Sequence, residues 1–309
     1  MKHPKWHGKR FYSFDSYLKN TFGKKLYKVS LDAGCTCPTR DGSKGYGGCT
    51  FCSTAGSGDF ASAANLSIRE QIDQGIALLG KKAEGSEYIA YFQAFTSTYG
   101  DADRLRSLYM EAIQHEKVAA ISIATRPDCL PPEILEVLSE IGQIKPLFVE
   151  LGLQTIHEET ARAFHRGYEL AVFEKAVHEL TSRSIPVIVH LILGLPGESR
   201  EDMLASVRYL NSLPIQGVKL SMLHVLKGTA MGEQYLREGF PVFTLEEYVD
   251  LLIACLEELE ERIVVHRITG DGPKSLLLAP LWSGNKRLVL NTIAHEMKTR
   301  DTYQGVNVR

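Results

Sequence analysis

Three cysteines share one glycine-rich loop, in the run Cys37-Pro38-Thr39-Arg40-Asp41-Gly42-Ser43-Lys44-Gly45-Tyr46-Gly47-Gly48-Cys49-Thr50-Phe51-Cys52. A structural [4Fe–4S] cluster takes four cysteines. Three, with no obvious fourth, suit a cluster that keeps one iron open, by the logic that separates catalytic from structural zinc sites. Glycines at 42, 45, 47 and 48 let the backbone fold closely around a bulky inorganic core. Zinc is the competing reading. It wants a fourth Cys or His, and the candidates His3 and His7 are far off in sequence. A disulfide is disfavoured, because the segment Met1-Lys2-His3-Pro4-Lys5-Trp6 lacks the apolar core of a secretory signal.

Residues 26–31 read as a short strand rich in sheet-favouring side chains. The cysteine loop follows it directly, which in a β/α barrel is the face that carries chemistry. Beyond the loop the pattern alternates. Strands are expected at 88–92, 118–123, 147–151, 186–193 and 217–225, with a further strand at 263–268. Helices are expected at 67–79, 101–115, 132–141, 170–184, 201–213 and 245–261, from apolar residues at helical spacing. Alternation of this kind implies βαβ units and a parallel sheet. The expected fold is α/β, a partial (β/α)6 TIM-type barrel spanning 24–262, with a basic aromatic extension at 1–23 and a closing extension at 263–309.

Polar residues gather after the strands. They include Thr96, Ser97 and Thr98 after the second, Ser122, Thr125, Arg126 and Asp128 at the third, and Glu150 and Gln154 at the fourth. A carboxylate at the end of an apolar strand is costly to bury unless paired. Arg166 is the expected partner of Glu150, unless a cofactor takes that place. Arg126 and Asp128 can equally form a loop salt bridge. His190 reads most simply as a satisfied core histidine, and His224 can face a substrate. Cys255 reads as buried and inert.

The segments Leu31-Asp32-Ala33-Gly34, Cys37-Pro38, Arg40-Asp41-Gly42, Gly47-Gly48-Cys49 and Phe51-Cys52 together resemble the radical SAM superfamily. Within it the chain looks most like the YhcC/YtqA-like branch, related to the catalytic subunit of Elongator. That branch spaces its ligands more widely than the usual CxxxCxxC, as this loop does. The resemblance runs from about residue 24 to the C-terminus. It implies Cys37, Cys49 and Cys52 as the cluster ligands. Cys35 competes for the first position, but Cys-Pro-x-Arg-Asp-Gly is the part that matches. It further implies that S-adenosylmethionine chelates the open iron and is cleaved by one electron from a flavodoxin- or ferredoxin-like donor. A 5′-deoxyadenosyl radical then abstracts hydrogen from the substrate. By the same resemblance Thr96, Ser97 and Thr98 meet the methionine amino group. Ser122, Glu150, Gln154 and Arg166 lie near the cofactor, and Leu223 or Val225 packs on adenine. The run from His190 to Glu198 borders the adenine in relatives. It departs from their pattern in carrying His190 where they have glycine and Glu198 one position late.

The chain has 309 residues, 44% hydrophobic and 23% charged, which is ordinary globular composition. No apolar run is long enough to span a bilayer, so a cytoplasmic protein without a membrane partner is expected. Net charge is −2, which excludes a polyelectrolyte binder. The distribution is uneven. Residues 1–30 carry Lys2, Lys5, Lys9, Arg10, Lys19, Lys24, Lys25 and Lys28 against one acid, Asp15, with seven aromatic residues interleaved. Phosphate contacts plus aromatic stacking would hold RNA. The alternative is a solvated basic tail whose rings cover the barrel bottom. Kinship with Elongator and this segment point to a tRNA substrate, modified at a wobble-uridine side chain. A small molecule or tetrapyrrole is the competing substrate. A metal-stabilised RNA-binding protein without catalysis is the competing class, and the barrel motifs count against it.

Overall fold

The computed structural model describes residues 3–308 except 63 and 271. Met1 and Lys2 of the N-terminal run, and Asp271 of the C-terminal glycine segment, lie outside the described residues. Ser13 caps the first helix by accepting a bond from the Ser16 amide (3.2 Å), and Gly23 ends it at φ 69°. In chain order the elements are α1 (Phe14–Phe22), β1 (Tyr27–Leu31), α2 (Ile68–Leu79), β2 (Tyr88–Phe92) and α3 (Ala102–Gln114). Next come β3 (Val118–Thr125), α4 (Pro132–Ile144), β4 (Leu147–Gln154), α5 (Glu158–Ala163) and α6 (Leu170–Ser182). The rest are β5 (Val187–Leu193), α7 (Arg200–Asn211), β6 (Gly217–Met222), β7 (Val225–Leu226), α8 (Ala230–Glu238), α9 (Leu245–Glu257), β8 (Val264–Arg267), β9 (Leu277–Ala279) and α10 (Lys286–Thr299). Capping boxes at Ser67/Glu70, Ser199/Asp202 and Thr244/Glu247 start α2, α7 and α9.

Seven strands form one parallel sheet in the order β1-β2-β3-β4-β5-β6-β8, curled into a partial barrel. The expected α/β partial barrel is therefore present. The segment expected as a further strand joins it as the seventh, parallel to β6. The strand expected over 217–225 is shorter. It leaves the sheet after Met222, and Val225–Leu226 pairs antiparallel with β9 instead. No helix of the described residues is long and apolar enough to cross a membrane.

Strand side chains alternate between the helix-covered face and the barrel lumen. The lumen is layered. Ile89, Ala120, Phe148 and Ile188 form an apolar lowest layer with Leu18 and Leu26. The α1 helix plugs this end: Phe14 stacks on His266 at 4.0 Å and meets Phe148 edge-on at 6.1 Å. Above it lies a charged layer, and above that the cysteine loop. The N-terminal rings thus cover the barrel bottom, opposite the cysteines. The nearby cations are largely occupied: Lys9 and Lys19 pair with Asp15, Arg10 with Asp301 and Lys24 with Glu87. Lys28 turns into the core. Of the two readings of this segment, the plug is the one its packing matches.

Candidate cluster and cofactor cavity

The loop between β1 and α2 is tied down before it presents any thiol. Arg40 reaches across it to the carbonyls of Ser53 (2.5 Å) and Thr54 (3.3 Å). Gly48 must be glycine, because its φ is 81° and a Cβ there would lie 2.8 Å from Arg40 Nε. The Phe95 amide donates to the Gly56 carbonyl (2.8 Å) and the Thr50 amide to the Phe164 carbonyl (3.1 Å). Arg126 grips Asp128 with two bonds of 2.9 Å, and Asp128 also holds Lys44 of the loop at 2.8 Å. The expected salt bridge between Arg126 and Asp128 exists, and its role is to anchor the cysteine loop to the end of β3.

Cys37, Cys49 and Cys52 line one cavity of about 280 Å³ at the barrel mouth. The Cys49 and Cys52 thiols share a hydrogen bond. That bond, working against burial and aided by the charge of Arg40, brings the Cys52 thiol down to about 7. The same bond and burial push Cys49 up. Thiolate is the form that binds metal. Cys35 is elsewhere: it lines a separate groove with Thr98 and Cys129, and burial raises its pKa. Among the described residues no three His, Cys, Asp or Glu side chains converge as a single ion requires. Three thiols lining one space fit a cubane, whose cysteines bind different irons.

Below the cysteines lies the charged layer. Glu150 is 1% exposed. Its Oε1 accepts from Lys28 Nζ (2.5 Å) and Ser122 Oγ (2.7 Å). Its Oε2 accepts from Tyr91 (3.0 Å), from Lys219 and from His190 Nε2 (2.7 Å). Burial opposes the carboxylate, but Lys219, Lys28 and the His190 bond hold its pKa well below the usual range. Burial, with the Lys219 charge, brings His190 from 6.5 to about 4. Both shifts make the fold acid-labile. Glu150 contributes stability that is lost only as pH falls through its depressed native value. His190 acts earlier: between 6.5 and about 4 the unfolded chain takes a proton that the folded chain refuses. Urea titrations should therefore show stability dropping by about 3 kcal/mol over that window, and His190→Gln should flatten the drop. An unchanged slope in the variant would place the acid sensitivity elsewhere.

The expected site residues divide. Thr96, Glu150, Gln154, Arg166 and Leu223 line the cavity with the three cysteines. Ser97 and Thr98 do not: Ser97 bonds back to the Ala94 carbonyl (3.3 Å), and Thr98 faces the groove of Cys35, bonded to the Cys129 carbonyl (2.6 Å). Ser122 sits behind the cavity as a ligand of Glu150. The expected Arg166–Glu150 pair is corrected. Arg166 donates to the carbonyls of Tyr168 (3.0 Å), Leu153 (3.2 Å) and Thr155 (2.7 Å), and pairs with Glu158 (3.0 Å). Its place is to brace the end of β4, where Gln154 adopts φ 65°. Strained backbone of this kind gathers at functional sites. Leu223 lines the cavity, whereas Val225, buried in the same apolar cluster, does not. His190 belongs to the charged layer and opens on the cavity, so it is more than core filling.

Lys28, Tyr91 and Lys219 escaped sequence reasoning as members of this charged layer. Lys219, between Val218 and Leu220 in an apolar strand, was the available signal. In the extension expected to close the barrel, Gly270 and Gly272 lie against His224. A Cβ on Gly270 would sit 2.2 Å from the His224 ring, so glycine there lets His224 close the cavity mouth. Asn285 caps α10, and the Trp282 indole donates to the Phe243 carbonyl (2.9 Å), so this second segment holds the closure in place.

Comparison with known proteins follows the same lines. The Radical SAM superfamily model matches residues 44–210, and the Radical_SAM C-terminal domain model matches 215–299. YtqA of Bacillus subtilis (strain 168) is 42% identical over 96% of this chain and 92% of its own length. YhcC of Escherichia coli (strain K12) is 34% identical over 88% of this chain and 87% of its own. A tRNA uridine(34) acetyltransferase of Methanocaldococcus infernus is 28% identical over 54% of this chain but only 31% of its own length. Among solved structures, the Elp3 of M. infernus superposes with TM-score 0.68 at 18% identity, covering 90% of this chain and 64% of that one, a likeness of fold. The family implies a [4Fe–4S] cluster and S-adenosylmethionine. The chain belongs to the radical SAM superfamily, in a branch with YtqA and YhcC that is distantly related to Elp3.

Proposed function

We propose that Cys37, Cys49 and Cys52 hold a [4Fe–4S] cluster beside bound S-adenosylmethionine, and that the enzyme modifies a wobble-uridine side chain of tRNA. One observation carries the cofactor assignment: these three thiols share a cavity with Thr96, Gln154 and Leu223, while Cys35 lines another. When bound, the two groups supply a 5′-deoxyadenosyl radical that abstracts hydrogen from substrate.

The chain's own residues prepare the space. Arg40 and Arg126 favour thiolate at Cys52. Gln154 makes no side-chain hydrogen bond to a described residue, so its amide can meet the methionine amino or carboxylate group. Arg166 has used four of its N–H groups on the chain, leaving one for a carboxylate. Leu223 offers an apolar wall to adenine. The α1 plug closes the lumen from below, and His224 lines its upper end.

The tRNA reading is supported by the relative named for tRNA uridine(34). An anticodon loop offers unstacked bases that can enter a closed pocket. The test compares modified nucleosides in tRNA from cells with and without the gene. The expected result is loss of one modified uridine. An identical nucleoside profile would turn the proposal to the small-molecule substrate.

A further inference from the structure

The cofactor cavity continues past its mouth. His224, Gly270 and Gly272 line both it and an open groove of about 780 Å³. The other walls include Phe60, Lys274, Asn285, Lys286 and Arg287. Lys274 and Arg287 are exposed and enter no ion pair with a described residue. No carboxylate lines the groove among the described residues. Phe60, on the loop that carries the cysteines, is 54% exposed although it is a large apolar ring. Among the N-terminal cations, Lys9, Arg10, Lys19 and Lys24 are already ion-paired.

We infer that this groove is a docking track for single-stranded RNA, with Lys274 and Arg287 on phosphates and Phe60 stacked on a base. The inference rests on the tRNA reading of the active site and names the surface that serves it. Unpaired cations beside an exposed ring are the two elements of sequence-tolerant strand binding. Continuity with the cavity supplies the third requirement, a route by which one unstacked base passes His224 toward the cofactor. An acidic protein segment would use the cations but gains nothing from a lone ring next to a deep pocket.

The test uses the reconstituted holoenzyme and a labelled RNA stem–loop with an unpaired loop, titrated across salt concentrations. Lys274→Glu/Arg287→Glu is expected to bind at least tenfold more weakly, with a salt dependence flatter by roughly two units for two lost phosphate contacts. Phe60→Ala is expected to bind about tenfold more weakly with the salt slope unchanged, because stacking releases no counterions. Lys9→Glu/Lys19→Glu, at the barrel bottom, is expected to bind as the parent does. Cluster absorbance and uncoupled S-adenosylmethionine cleavage should persist in all variants, showing that they fold. If the parent binds RNA with a steep salt slope and the groove variants match it, the groove is wrong and the tRNA reading survives. If the parent binds no RNA at low salt, both fall. Groove variants that lose an acidic peptide but keep RNA would make this a protein surface.

Discussion

Cys37→Ala, Cys49→Ala and Cys52→Ala are each expected to lose the brown [4Fe–4S] absorbance after anaerobic reconstitution, and Cys35→Ala is expected to keep it. The first three thiols line one cavity, and Cys35 lines another beside Thr98 and Cys129. A cluster on three thiolates has no spare ligand, so each loss is close to complete rather than graded. Ultraviolet–visible spectra with iron and sulfide counts read the result. Loss of cluster in Cys35→Ala with retention in Cys37→Ala would reverse the assignment.

Glu150→Ala has the largest expected effect on stability. Removing the carboxylate leaves Lys28 and Lys219 facing each other in the lumen without their shared partner, and strips bonds from Ser122, Tyr91 and His190. Breaking one side of a buried ion pair costs about 3–5 kcal/mol, a large part of the 5–15 kcal/mol that ordinarily holds a domain together. Urea unfolding of the apo-protein reads it. The double variant Glu150→Leu/Lys219→Met should recover part of the loss, because it removes an orphaned charge along with the carboxylate. A loss under about 1 kcal/mol in the single variant would mean that water reaches the layer and screens it.

Much of the barrel was legible because its strands are apolar runs and its outer helices have one apolar face and good caps. The cysteine loop was legible through residue type and spacing. What escaped depends on three-dimensional layering. Lys28 read as part of a basic tail, yet it lies on β1 one register step from the lumen layer of Tyr91 and Ser122. Arg166 looked like the natural mate of Glu150, but 15 residues of intervening chain bring it to the outer rim of β4, where carbonyls take its fork. Helix α1 was hidden because its aromatic residues read equally as a surface for stacking on RNA or as rings covering the barrel bottom. Its Ser13 cap and its apolar contacts with Phe148 make it a plug instead. Helices α8 and α10 also escaped, although Thr229 and Asn285 cap them, because their apolar stripes are thin.

The central claim is that this cavity houses a cluster able to cleave S-adenosylmethionine. The direct measurement is anaerobic reconstitution of the chain with iron and sulfide, reduction with dithionite, addition of S-adenosylmethionine, and quantification of 5′-deoxyadenosine. The account predicts iron and acid-labile sulfide in equal amounts and 5′-deoxyadenosine that forms only with reductant and vanishes in Cys37→Ala, Cys49→Ala and Cys52→Ala. Zinc bound in place of iron, or a fully loaded cluster that yields no 5′-deoxyadenosine, would contradict it.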